Sequence, residues 1–368
     1  MELAYVGNEN LTWETSHSFN IGTDFELFKG YLNGTIEYFS RKTTDLLYSK
    51  SVPLSAGNPT GRIPVNVGSI LNNGVELSLD GAIIRNRNVN WTWNFNLSHY
   101  KNTILSLDDS VSEDGIRGSN YIYKVGGSLY EAYMYRYAGV NKETGQAQYY
   151  GEFLKEDGDD GKAGTFVQRP TQKQIDNQLT ETKVVTSFSQ ASQYDIGTVL
   201  PAVYGGFGTS VNAYGVDFSI QLSYQLGGKY YDGTYQNLMH TQASAGNAWH
   251  KDILNAWTPT NTNTDIPRND GDIQVAQSAL DRFLVSASYL SVNNVTLGYT
   301  FPSKWTKKLH IEGLRIYVAG DNLAVLTARK GIDPRFSMGL GSMTSGTGLN
   351  SGYYSAMRNI TGGITLTF

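Results

Sequence analysis

Hydrophobic and polar residues alternate along much of this chain. Phe19, Ile21, Thr23, Phe25 and Leu27 fall on one side of a two-residue period, and Asn20, Gly22, Asp24 and Glu26 on the other. Trp91, Trp93, Phe95 and Leu97 alternate with Thr92, Asn94, Asn96 and Ser98. Val216 to Leu226 and Val295 to Phe301 repeat the pattern, and so do Ile364, Leu366 and Phe368 against Thr365 and Thr367. Period two belongs to strands with one apolar and one polar face. Two of these runs exceed the usual strand of about five or six residues and suit the roughly 9–11 that a tilted strand needs to cross a bilayer.

The pattern places eleven strands, at 16–28, 31–43, 72–84, 90–101, 131–140, 146–153, 205–213, 215–227, 287–301, 310–322 and 359–368. Short links fall at 29–30, 85–89, 141–145, 214 and 302–309, and long ones at 44–71, 102–130, 154–204, 228–286 and 323–358. Short and long strictly alternate, so all long links emerge at one end of the strands. Membrane barrels segregate short turns and long extracellular loops in this way, and a sandwich has no reason to. The short links carry turn chemistry: Lys29-Gly30 and the Gly-terminated Asn141–Gly145, with Pro302 ending the strand before it. The expected fold is an all-β antiparallel transmembrane barrel.

Composition narrows the alternatives. Apolar residues make up 40%, yet no run approaches the roughly 20 that a membrane helix needs. Tyr (25) and Gly (40) are abundant, as in barrel strands that are polar on every second residue. A net charge of −4 gives no electrostatic case for nucleic acid. With no Cys there is neither a disulfide framework nor a thiolate metal site. No signal peptide precedes Glu2, so an exported protein would have its native start upstream of Met1.

Candidate chemistry is sparse. The run Glu156-Asp157-Gly158-Asp159-Asp160-Gly161 is the nearest approach to a Ca²⁺ loop, but it lacks the spacing of one and reads as a solvated acidic loop. His17, His99, His240, His250 and His310 are scattered, without metal-ligand spacing. Gly205-Gly206-Phe207-Gly208 precedes a strand rather than a helix, so it is no phosphate cradle. No catalytic motif or cofactor site emerges, and the expectation is a protein that is not an enzyme. Trp91, Trp93, Tyr299, Phe301 and Phe368 fit a membrane-interface girdle. Seven aromatics lie in long links: Tyr230, Tyr231, Tyr235, Trp249, Trp257, Tyr353 and Tyr354. They are candidates for stacking on a solute, with Gln236, Asn237, Asp265, Arg268, Asn269 and Asp270 as polar neighbours. Packing inside a compact loop is the simpler reading of the same aromatics.

A series of ordered segments carries a family resemblance. Asn10-Leu11-Thr12-Trp13-Glu14-Thr15 leads into Phe19–Phe25, and Gly68–Leu77 follows. Then come Tyr135-Arg136-Tyr137-Ala138-Gly139-Val140, Leu200–Phe207, Tyr289–Tyr299, Arg315–Leu323 and Gly331-Ile332-Asp333-Pro334. Together they resemble TonB-dependent outer-membrane transporters of the SusC/RagA type. The acidic run departs from the family pattern, being shorter and farther upstream of Leu200. The resemblance implies a plugged barrel of about 22 strands. Residues 1–368 would be its C-terminal portion, with the plug and the first strands absent. It also implies import of oligosaccharides or peptides across the outer membrane of Bacteroidota, energy from TonB, and a SusD-like surface lipoprotein as partner beside outer-membrane lipid. The competing reading is a soluble β-rich carbohydrate-binding or adhesin-like module, its apolar faces packed sheet on sheet.

Overall fold

The computed structural model describes residues 7–108, 114–118, 120–158, 161–239, 248–269, 278–328, 333–336 and 356–368. Nine strands form one antiparallel sheet: β1 (Thr15–Leu27), β2 (Leu32–Thr44), β3 (Gly68–Arg85), β4 (Val89–Leu107), β5 (Pro201–Ala213), β6 (Val216–Gly227), β7 (Tyr289–Thr300), β8 (Gly313–Thr327) and β9 (Asn359–Thr367). Each pairs with its neighbours in chain order, an uninterrupted meander. The hairpins are as tight as the turn residues allow. Tyr214 and Gly215 both take positive φ, 51° and 90°. That is the two-residue turn whose twist matches the flanking strands. A Cβ on Gly215 would press into the Thr300 carbonyl.

Register sorts the side chains into two continuous faces. Residues directly opposite in antiparallel strands point to the same side. One row across all nine strands reads Leu27, Leu32, Gly81, Trp93, Thr209, Ile220, Val295, Gly320, Ile360. The next reads Phe25, Gly34, Leu79, Phe95, Phe207, Leu222, Val292, Ala324. On the other face a row runs Glu26, Asn33, Asp80, Asn94, Gly208, Gln221, Asn294, Asp321, Asn359. Its members bond across strands: Asn33 Nδ2 donates to Asp80 at 3.1 Å and Asn294 Nδ2 to Asp321 at 2.7 Å. A bidentate Arg315–Asp217 pair, with Nε donating at 3.0 Å, adds to this polar face.

The apolar face packs against nothing among the described residues: Ile21 and Ile364 remain 60% and 67% exposed. A sheet-on-sheet sandwich would bury them, so the soluble-module reading lacks its core. Trp91, Trp93 and Tyr299 lie on this face towards the short-turn end, where an aromatic girdle belongs. No helix is long and apolar enough to cross a membrane among the described residues.

Two expected barrel strands are not in this sheet. The segments at 131–140 and 146–153 do form strands, Glu131–Tyr135, Tyr137–Val140 and Ala147–Leu154. They pair with Gln193–Thr198, Phe166–Val167 and Thr180–Val185 inside the connection from β4 to β5. Their alternation reflects a small loop-borne core rather than lipid, because Met134 and Tyr149 are fully buried. Losing two adjacent strands leaves the parity of the connections intact. Short links now join 27 to 32, 85 to 89, 213 to 216 and 300 to 313, and long links occupy 45–67, 108–200, 228–288 and 328–358. The strands also run farther than the pattern showed, β3 and β4 reaching 18 and 19 residues.

Neighbouring residues of β6 give a sharp test of the two faces. Arg at Ile220 or Leu222 should destabilise the assembled protein by about 2–4 kcal/mol near the bilayer midplane, and Arg at Gln221 by much less. Unfolding titrations of the full-length protein in lipid vesicles would measure both. Equal costs at 220 and 221 would mean that neither face meets lipid.

Candidate functional site

The hydrophobic core of this molecule lies in the long connections. Ala132, Met134, Ala147, Tyr149, Ala191 and Val199 from 108–200 pack with Tyr231, Leu280 and Phe283 from 228–288. The two connections share backbone pairing as well, Tyr135 N donating to Ala279 O at 2.9 Å and Arg268 N to Gly145 O at 2.8 Å. Asp281 accepts from Tyr137 N at 2.8 Å, and Arg282 lies over the Tyr137 ring at 4.4 Å. Burial pushes the Tyr137 phenol up to about 12. The result is one packed cap at the long-loop end of the sheet.

Most of the sequence-named aromatics serve this packing. Tyr230 and Tyr231 are 1% and 3% exposed, and Tyr231 Oη donates to Gln236 Oε1 at 2.7 Å. Gln236 is itself buried and donates to Ser278 O. Tyr235 is half-buried, with its hydroxyl donating to Asp252 at 3.1 Å and its ring 4.9 Å from that of His250. Trp257 donates from Nε1 to Lys142 O at 3.0 Å and lies where a Cβ on Gly145 would be, so it pins the 141–145 turn. Arg268 Nη1 donates to Thr144 O beside it. Trp249 is 44% exposed, and Asn237, Asp265 and Asn269 are exposed too. Tyr353, Tyr354, Asp270, His240, Asp159 and Asp160 lie outside the described residues. Among the described residues no cluster of His, Asp or Glu has the makings of a metal site.

A cavity of about 430 Å³ opens within the cap, lined by Arg117, Lys124, Tyr133, Arg136, Tyr194 and Asp195 among others. Arg117 meets Asp114 at 3.5 Å, and Lys124 pairs with Asp195. Arg136 sits over the rings of Tyr150 and Tyr194, at 4.8 and 5.3 Å. Glu152, only 4% exposed, accepts from Tyr194 Oη at 2.8 Å and Thr182 Oγ1 at 2.6 Å. Burial, then the hydrogen bond to Glu152, raises the Tyr194 phenol well above its usual range. Glu131 beside the cavity is raised by burial and by Asp195. Sequence reading passed over Arg136, although the segment Tyr135-Arg136-Tyr137 carried a signal. Tyr135 and Tyr137 pack against the core, and Arg136 between them is exposed.

Two polar side chains fasten long connections to the sheet. Asn102 on β4 is 4% exposed. Its Oδ1 accepts from Ser128 Oγ at 3.1 Å and Leu129 N at 2.8 Å, and its Nδ2 donates to Asn72 at 2.7 Å. Arg335 donates to both Asp333 oxygens, at 2.8 and 2.6 Å, and from Nη1 to Ser291 on β7 and Asn322 on β8. Burial alone would raise Asp333, but the Arg335 guanidinium and its hydrogen bonds bring the carboxyl below its usual value.

Replacing Asn102 by Ala leaves two donors at 128–129 without their acceptor. The expected cost is about 1–3 kcal/mol, read as faster amide exchange and proteolysis across 108–130, with the rest of the sheet unchanged. The Asp333–Arg335 clamp has a pH signature. A carboxyl with a depressed folded value contributes stability above its unfolded value, about 3.9 for Asp. That contribution is lost as pH falls through the folded value. Amide protection around 322 and 335 should therefore hold from neutral pH down to about 4 and decay below it. In Arg335→Ala it should be low throughout.

The likenesses to known proteins follow this architecture. The family model described as TonB dependent receptor-like, beta-barrel, matches residues 2–170. TonB-dependent receptor P3 of Formosa agariphila is 29% identical over 381 residues, covering 100% of this chain and 35% of that protein. TonB-dependent receptor SusC of Bacteroides thetaiotaomicron is 26% identical over 352 residues, covering 90% of this chain and 31% of SusC. The solved structure of the RagAB peptide transporter matches with a TM-score of 0.73 at 25% identity, over 99% of this chain and 36% of the other. The chain thus spans about a third of the length of these relatives, which are receptors and transporters. With its two-faced meander and its segregated loops, it resembles part of the barrel of TonB-dependent outer-membrane receptors of the SusC/RagA type.

Proposed function

We propose that this chain is the C-terminal barrel portion of an active importer. It takes large solutes, oligosaccharides or peptides, across the outer membrane with energy from TonB. The observation that carries the reading is the register: one face is apolar and unpacked across nine strands, and the opposite face is a polar wall. The likeness to SusC and to the RagAB peptide transporter supports the import role. It also supports a SusD-like lipoprotein seated over the cap. β1 and β9 each have one free edge among the described residues, and open edges are not tolerated in hydrocarbon. Further strands and a lumen-filling plug belong to the working protein on this reading.

Of the loop aromatics, Trp249 has the free surface to stack on a solute, and Trp257 is half-buried against the 141–145 turn. Tyr230, Tyr231 and Tyr235 act on this reading by holding the cap that presents Trp249. Tyr353 and Tyr354 are proposed as further contacts from the last long connection.

The decisive experiment is the intact mass of the native protein from the outer-membrane fraction, paired with solute uptake with and without TonB. A mass well above 40.6 kDa and uptake that stops without TonB are expected. A protein of 40.6 kDa recovered from a detergent-free soluble fraction overturns the proposal.

A further inference from the structure

The cap cavity is lined by a guanidinium, Arg136, that makes no ion pair among the described residues. Arg117 and Lys124 each face a carboxylate, Asp114 and Asp195. Arg136 has no carboxylate within 4.0 Å among the described residues, yet the Tyr150 and Tyr194 rings fix it in place. Stacking on aromatic rings occupies the faces of a guanidinium and leaves its N–H edge free to donate. The remaining lining carboxylate, Asp281, accepts from Tyr137 N and feels the Arg136 charge from beyond ion-pair distance.

A second observation points the same way. Tyr133 is 2% exposed and lines the cavity, and its hydroxyl has no hydrogen-bond partner among the described residues. Arg117 Nε is buried and unpartnered there as well. Burial raises the Tyr133 phenol, so at neutral pH it is a donor seeking an acceptor. Buried donors without partners are rare and call for an acceptor. Ile122, Ile175 and Ile196 supply apolar wall. A volume of about 430 Å³ lies at the small end of ligand pockets.

We propose that this cavity binds a small solute through a carboxylate, held by the Arg136 guanidinium with Tyr133 as a second donor. A carboxylate presents two coplanar acceptors that match the guanidinium edge. It could belong to a uronic acid or to a peptide C-terminus, and the test separates the two. The proposal rests on the import reading only in taking the solute from outside the cell.

The test is equilibrium binding to the full-length protein in detergent. D-glucuronate is compared with D-glucose, and N-acetylglycine with N-acetylglycinamide. At least one acid should bind about tenfold or more tighter than its neutral counterpart, the size expected for a hydrogen-bonded charge. Which acid does so identifies the source. Arg136→Gln should erase the preference, Arg136→Lys should keep part of it, and Tyr133→Phe should weaken the acid severalfold. The proposal is overturned if neither acid outbinds its neutral partner, or if a folded Arg136→Gln protein keeps the preference. Should Arg136→Gln not fold, unchanged acid affinity in Tyr133→Phe overturns it instead. Acid binding without TonB-dependent uptake would leave this site standing and remove the import reading.

Discussion

Pairing register is the constraint on which the rest of this structure depends. Once Phe25 sits opposite Gly34 and Glu26 opposite Asn33, every later strand must keep the same parity or place charge on the apolar face. The sheet keeps it through nine strands, with register shifts at 69–70, 82–84, 201–203 and 292–294 absorbing the local irregularity. Gly34 shows how closely the register is used. A Cβ there would overlap the Phe25 ring and the Leu79 side chain, so glycine lets the aromatic lie across its neighbour. Gly363 does the same on the polar face beneath Tyr317. In hydrocarbon the ladder also has to satisfy every backbone donor, which makes register and solvation one problem.

The sheet alone has no conventional core. Most of its hydrophobic residues stay exposed, and apart from Ile104 on β4 the buried ones belong to the connections. The molecule therefore contains two kinds of hydrophobic order. One needs an apolar medium around it. The other is made by side chains from 108–200 and 228–288 meeting each other in water. They join at a few polar residues at the long-connection ends of the strands. Asn102 stands where β4 changes from one environment to the other: residues before it are exposed or half-buried, and Ile104 just beyond is 1% exposed. The far ends of β3 and β4 thus carry the first contacts of the cap.

The alternation of residues 19–27, 91–97, 216–226 and 295–301 by itself determined the strands, their two faces and the side on which the long connections emerge. Period-two patterning is a local property of the chain, and parity is a count along it. The ordered segments from Asn10 to Pro334 likewise carried the family. Tertiary structure decided what local pattern cannot hold. The segments 131–140 and 146–153 alternate as barrel strands do, but their partners at 180–185 and 193–198 put them in the cap. Tyr231 looks like an exposed loop aromatic until Leu280 and Phe283 close over it from fifty residues away. Arg136 was one charge among many, and its place at the edge of a cavity exists only because Tyr150, Tyr194 and two ion pairs are folded around it. Burial and the choice of partner are long-range outcomes of packing, so they are decided in three dimensions.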